Sequence, residues 1–117
     1  MKNELEFFDV SALPWEPVPG FAGLEQKILA GDKTSADVSR LARMAAGADF
    51  DEPLVHDFWE EIWILEGSVH DKRTGLTYTA GMYACHPPGM VHGPFASTEG
   101  CLMFEVRYTD PHSRQPR

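Results

Sequence analysis

Three histidines and one glutamate between residues 56 and 92 have side chains of the types that bind metal ions. His86 and His92 lie on either side of a Pro-Pro-Gly turn, and His56 lies four residues before Glu60. Two imidazoles and one carboxylate form the facial triad that binds Fe(II), and the same donors accept other divalent metals. Three protein ligands leave coordination positions open for a small oxygen-containing compound. These residue types are therefore candidates for metal chemistry.

The Pro-Pro-Gly turn is stiff enough to position the histidines beside it. Pro87 and Pro88 fix φ, and Gly89 tolerates the positive φ that reverses the chain. If residues 87–91 form a hairpin loop, His86 and His92 face each other, with Cβ atoms about 4.5–5.5 Å apart. The spacing then predicts that the two imidazoles can share a metal. A role for His86 in lining the site is favoured over a surface role.

The elements that would hold these residues are short β-strands. Turn signals recur every 6 to 12 residues, and the runs between them are rich in Ile, Val, Trp, Tyr and Phe. This pattern predicts an all-β sandwich or barrel. The predicted strands are LEQKILA, DVSRLARM, LVHDFW, EIWIL, TYTA, MYACH, VHGPFA and CLMFEVRY.

The strand that carries Glu60 predicts a buried carboxylate. With a period of two, Glu60, Ile62 and Ile64 share one face, and Trp63 lies on the other. A carboxylate in an apolar lumen must be paired, protonated or bound to a cation. The opposite face also carries large apolar groups, so we expect a second sheet or another subunit to cover it. A C2 homodimer is predicted on this basis.

The last predicted strand places a further acid and a further base on one face. Glu105 and Arg107 have the same parity, so both could bind a substrate carboxylate or form a structural ion pair, and the ion pair is favoured. Several apolar residues could wall a pocket, although they could equally belong to the core. These residues are Phe50, Phe58, Ile62, Ile64 and Phe95.

Length, composition and charge exclude several classes of protein. At 117 residues the chain predicts one domain, 1–117, with a polar tail over 110–117. A net charge of −8 disfavours binding to nucleic acid or to anionic membranes. No apolar run is long enough for a membrane span, and no leader is recognisable, so a cytoplasmic location is expected. Cys85 and Cys101 are expected to be free, buried thiols.

The motif around the turn resembles one of the two motifs of the cupin superfamily. Its spacing is Gly81, five residues, Pro87, one residue, Gly89, two residues and His92, as in that motif. The upstream motif is similar too, because His56 is followed by three residues, Glu60, six residues and Gly67. The resemblance implies a cupin barrel, also called a jelly roll or double-stranded β-helix, over about 24–109. The tract 59–104 is more narrowly similar to the ChrR-like cupins.

The resemblance implies a metal at these residues, with one departure from the family pattern. Cupins begin the upstream motif with H-x-H, whereas this chain has Leu54 at the first position. The implied ligands are His56, Glu60 and His92, and His86 is a fourth candidate that could replace the missing imidazole. Water in that position and a decayed, metal-free site are the alternatives. Fe(II) is favoured, and Mn, Ni, Co or Zn are possible.

The resemblance also implies a class of function. Related cupins include dioxygenases, so an enzyme of this type that acts on a small carbonyl or aromatic compound is the leading prediction. Isomerases, decarboxylases and lyases share the scaffold, which by itself cannot choose between them. A non-catalytic, ligand-binding or sensory cupin is the alternative from a different class. The predicted partners are a small-molecule substrate and a second copy of the chain.

Overall fold

The computed structural model describes residues 2–34 and 36–109, and these residues form almost entirely β structure. A single 3₁₀ turn, Val10–Ala12, precedes the strands within this part of the chain. The strands are β1 (Glu16–Pro17), β2 (Leu24–Gly31), β3 (Val38–Met44), β4 (Trp59–Asp71), β5 (Leu76–Thr79), β6 (Tyr83–His86), β7 (Phe95–Ala96) and β8 (Cys101–Tyr108). The all-β prediction is confirmed.

Antiparallel pairing joins the strands in the order β1-β2-β3-β8-β4-β5, and β6 and β7 also pair with β4. The central element is β4, whose first part pairs with β6 and β8 and whose last part pairs with β5 and β7. The long crossovers between β3, β4 and β8 are those of a jelly roll, in which strands distant in sequence become neighbours.

Alternating burial explains why these segments form strands with one face inward. In β3 every second residue from Val38 to Met44 is buried, which confirms that this segment is a strand and not a helix. In β4 Glu60 and Ile64 are buried, whereas Trp63 is 51% exposed. The core is formed by inward side chains of several strands, and its buried members are Ala42, Met44, Ala48, Ile64, Val69, Cys101 and Met103.

The glycine of the upstream motif is required by a close approach of two chain segments. A Cβ on Gly67 would lie 2.0 Å from the Gly100 carbonyl oxygen, and its φ of +76° is in the left-handed region. Any larger residue would therefore push β4 away from the turn that leads into β8.

Two details of the predicted strands are wrong. The run LVHDFW is not a strand, because Leu54 makes only an isolated bridge to His92 and regular pairing begins at Trp59. His86 and His92 do not face each other in a hairpin, because His86 pairs with Glu60 on β4. The Pro-Pro-Gly segment instead connects β6, which pairs with β4, to His92, which forms a bridge with Leu54. Its turn is closed by the Met90 amide, which donates to the Pro87 carbonyl, with Gly89 at φ +81°.

The prediction of free cysteines is confirmed, whereas the prediction that both are buried is wrong for one of them. Neither cysteine forms a disulfide, as predicted. Cys101 is buried, but Cys85 is exposed, because it points to the outer face of β6.

The imidazole Nδ1 of His70 is hydrogen-bonded to the Thr77 hydroxyl on the neighbouring strand β5, at 2.8 Å. Among the described residues no helix is long and apolar enough to cross a membrane. The predicted tail, 110–117, lies outside the described residues.

Candidate metal centre

The pairing of β4 with its two neighbours places three chemically active side chains side by side. Glu60 is opposite His86 of β6 and also opposite Arg107 of β8. Directly opposed residues of antiparallel strands point to the same face, so all three side chains point inward. Sequence analysis could assign the parity of each strand but not this register.

His92 is brought to the same place by its bridge to Leu54. The Leu54 amide donates to the His92 carbonyl (2.7 Å), and the His92 amide donates to the Leu54 carbonyl (2.9 Å). The imidazole Nδ1 of His92 donates to the Met90 carbonyl at 3.2 Å, which leaves Nε2 as the nitrogen with a free lone pair. The segment is further held by Arg73, whose guanidinium donates to the Val91 (2.9 Å) and Gly93 (3.3 Å) carbonyls.

His56 lies in the connection between Leu54 and β4. Its carbonyl accepts a hydrogen bond from the Gly89 amide (2.8 Å), and its ring stacks on Phe58 with centroids 4.5 Å apart. Burial, followed by the charge of Arg107, lowers the pKa of His56 to about 4. Burial also lowers the pKa of His86. A neutral imidazole at neutral pH is the form that binds a metal.

The ligand atoms of His56, Glu60 and His92 all lie within 4.8 Å of one another. The His86 ring is adjacent, stacked on His92 with centroids 4.3 Å apart. Three buried imidazole nitrogens have no hydrogen-bond partner in the part of the chain that the structure describes, and these are His56 Nε2, His86 Nδ1 and His92 Nε2. Buried polar atoms are rarely left unpaired, so these atoms suit a bound cation.

The four side chains that the sequence predicted as ligands are thus neighbours, and their donor atoms fit a divalent transition metal. Imidazole nitrogen and carboxylate oxygen are suitable donors for Fe, Mn, Co, Ni and Zn. His56, Glu60 and His92 form the possible metal site, whereas His86 lies beside it as the candidate for a fourth position. Residue 54 faces the same cavity, as predicted.

A second buried ionic cluster, which sequence analysis did not identify as a unit, adjoins the metal site. Arg40 donates through Nε to Glu105 (2.8 Å) and through Nη1 to Gln26 (2.6 Å), and all three residues are buried. Glu105 and Arg107 form a structural ion pair (Oε1–Nη2, 3.9 Å), as favoured, and each has a closer partner on another strand: Arg40 and Glu60, respectively. The parity of β3 was a signal that could have placed Arg40 inward.

An apolar cavity of about 400 Å³ opens onto the metal site. Four of the five predicted wall residues line it, namely Phe50, Ile62, Ile64 and Phe95. The fifth, Phe58, instead stacks on His56. A cavity of this size with a few convergent polar groups is typical of small-molecule sites.

This fold and this arrangement of histidines and glutamate are those of a cupin. A match of residues 3–109 to the ChrR cupin-like domain shows that the chain belongs to that family. No curated protein matches the sequence at a significant level.

Solved structures share the fold at low sequence identity. An RmlC-like cupin from Shewanella frigidimarina has a TM-score of 0.70 and 19% identity, with 96% of each chain covered. An RmlC-like cupin protein from Ralstonia eutropha has a TM-score of 0.74 and 18% identity, over 91% of this chain and 69% of that one. An acetylacetone dioxygenase from Acinetobacter johnsonii has a TM-score of 0.72 and 16% identity, over 98% and 85%.

Proposed function

We propose that this cupin is a cytoplasmic metal-dependent enzyme of dioxygenase type that acts on a small carbonyl or aromatic compound. One observation carries the proposal: three buried imidazole nitrogens without hydrogen-bond partners among the described residues lie beside a buried carboxylate at an apolar cavity. A purely structural core would leave these polar atoms at a cost of about 1–3 kcal/mol each. A metal ligated by them removes that cost.

The residues around the site have distinct tasks in this proposal. His56, Glu60 and His92 would hold the metal, which supplies Lewis acidity and, as Fe(II), the redox chemistry needed for reaction with O₂. The apolar walls exclude water and contact the hydrocarbon part of the substrate. The shared fold of an acetylacetone dioxygenase supports the class of reaction only at the level of architecture.

Metal analysis followed by an oxygen-uptake screen tests this function. We expect about one transition metal per chain after reconstitution under anaerobic conditions, and oxygen consumption with a β-diketone or a hydroxyketone by the Fe(II) form. Metal binding without oxygen uptake on any of these compounds would favour an isomerase, decarboxylase or lyase. The absence of both would favour a non-catalytic, ligand-binding cupin.

Leu54→His is expected to tighten metal binding, because residue 54 faces the cavity next to His92 and an imidazole there supplies the family's missing ligand. The variant should also reduce any activity that needs the coordination position of the metal that Leu54 leaves without a protein ligand. A chelator competition titration measures the change in affinity. Unchanged affinity would show that residue 54 does not reach the metal.

His86→Ala distinguishes the two roles of His86. If His86 is a fourth ligand, metal affinity falls by about 10- to 100-fold, which is comparable to the loss of a metal-supporting contact. If His86 only lines the cavity, metal content is unchanged while activity changes. We expect the first result, because His86 Nδ1 is buried and unpaired among the described residues.

We also propose that the chain forms a C2 homodimer through the outer face of β4 and β6. Trp63 and Tyr83 are paired there and are 51% and 61% exposed. Light scattering should give about twice the chain mass of 13.1 kDa. Trp63→Lys should yield monomers, whereas Leu76→Lys on β5 is the control. A monomer at micromolar concentration for the unmodified protein would refute the dimer.

A further inference from the structure

The Arg107 side chain contacts two of the candidate metal ligands, one directly and one through an aromatic ring. Its Nε donates to Oε2 of Glu60 at 2.5 Å. Its guanidinium carbon lies 5.1 Å from the centroid of the Phe58 ring, and Phe58 in turn stacks on His56. We propose that Arg107 is the positioning residue of the metal centre, an inference that depends on the proposed metal site.

The first contact determines how Glu60 can bind a metal. Because Arg107 occupies Oε2, Oε1 is the oxygen directed toward the histidines, and it lies 3.9 Å from His92 Nε2. Glu60 would thereby favour ligation through Oε1 alone, because the charge of Arg107 already engages Oε2. A carboxylate that ligated through both oxygens would take an additional coordination position, so Arg107 preserves that position for a substrate.

The second contact determines the orientation of His56. The His56 and Phe58 ring planes differ by 9°, with centroids 4.5 Å apart. Because Phe58 is in contact with an imidazole and with a guanidinium, its movement is restricted, and so is that of the His56 ring. Arginine suits this task because its planar guanidinium can stack on a ring while its N–H groups bind a carboxylate.

Arg107 is itself held by its surroundings. Its Nη2 lies 3.9 Å from Oε1 of Glu105, and Glu105 is fixed by the buried Arg40. Glu60 and Glu105 are buried acids, and Arg107 lies between them on the inner face. This row of alternating charges gives Arg107 one well-defined position, which a positioning residue requires.

Arg43 offers a matched control on the opposite side of the sheet. It makes the same two kinds of contact, an ion pair with Glu25 (2.7 Å) and a stack over Trp15 (4.1 Å), away from the metal site. Arg43→Met therefore removes equivalent interactions without touching a ligand.

The test uses Co(II) as a spectroscopic probe of coordination in the 117-residue chain, with Arg107→Met, Arg107→Lys and Arg43→Met compared with the unmodified chain. In Arg107→Met, Glu60 is free to bind through both oxygens, so we expect the visible absorption of Co(II) to weaken as the coordination number rises. Arg107→Lys should give an altered spectrum as well, because an ammonium keeps the charge but cannot stack on Phe58. Arg43→Met should match the unmodified protein.

The outcomes separate this inference from the proposed function. Co(II) spectra of both Arg107 variants identical to that of the unmodified protein would overturn the positioning role while leaving the metal site intact. Failure of the unmodified chain to bind Co(II) would overturn the metal site and this inference together. If Arg107→Met does not fold, Arg107→Lys, which retains the buried charge, decides the question alone.

Discussion

His92→Ala is expected to abolish metal binding and so to lower the melting temperature measured in the presence of metal by about 10 °C. His92 supplies a buried Nε2 that is within 4.8 Å of the other two ligand atoms, and its Nδ1 is fixed by the Met90 carbonyl. A metal present at 100 times its dissociation constant stabilises the folded state by about 2.7 kcal/mol. For a domain of this size that free energy corresponds to a shift of about 10 °C.

His70→Ala is the matched control for this experiment, because His70 is bonded to Thr77 on β5 and does not belong to the ligand group. Elemental analysis gives the metal content, and scanning calorimetry with and without metal gives the stabilisation. The metal-induced shift should disappear in His92→Ala and persist in His70→Ala. Equal metal content in the unmodified protein and in His92→Ala would contradict the assignment of His92 as a ligand.

The second large effect is expected at Arg40, which is not a candidate metal ligand but belongs to the ionic cluster that adjoins the metal site. Arg40→Met should lower the free energy of unfolding by about 3–5 kcal/mol, because it leaves the buried Glu105 without its main partner. The Arg40 and Glu105 side chains are only 7% and 8% exposed, so water cannot replace the lost interaction. Urea denaturation of the metal-free protein measures the change without interference from metal binding.

Two further variants test whether the unpaired charge of Glu105 causes the loss of stability in Arg40→Met. Arg40→Met combined with Glu105→Leu should recover part of the stability, since an apolar pair of similar volume avoids the unpaired charge, while the buried Gln26 still lacks its Arg40 partner. Arg43→Met should cost no more than about 1 kcal/mol, because its ion pair with Glu25 is 43% and 41% exposed. A loss in Arg40→Met as small as that in Arg43→Met would show that Glu105 finds another partner.

Much of the architecture could be predicted because it depends on local patterns. The alternation in β3 and β4 determined which residues face inward, and the structure confirms this for Glu60 and Trp63. The glycine and proline spacing of the two motifs identified the cupin fold, because those residues are required by turns and by close backbone contacts such as that of Gly67.

The register between distant strands could not be predicted in the same way. A hairpin across Pro87, Pro88 and Gly89 was the simplest local pairing, but β6 gains more by pairing with the central strand β4. His86 and His92 still come together, because the face of β4 that receives His86 is also the one approached by the bridge between Leu54 and His92. The proximity was therefore predicted, but for the wrong reason.

The partners of Glu60 and Arg40 in their ion pairs could not be predicted either, because they also depend on strand register. Parity shows that Arg40, Glu105 and Arg107 point inward, but a period of two does not reveal which acid meets which base. Those partners follow from the pairing of β3 with β8 and of β8 with β4. Both pairings join segments that are far apart in the sequence.

The position of β4 at the centre of the pairing has a consequence for the residence time of a bound metal. Four strands hydrogen-bond to β4, so its amides should be among the slowest in the molecule to exchange with deuterium. The backbone that carries Glu60 should therefore keep its position except when much of the molecule opens. His56 and His92 lie on segments held by fewer contacts, namely the Leu54–His92 bridge, the Gly89–His56 hydrogen bond and the Arg73 side chain, so local opening there costs less. We therefore expect the dissociation rate of a bound metal to depend mainly on these two loops, so that stiffening them should lengthen its lifetime without changing the strands.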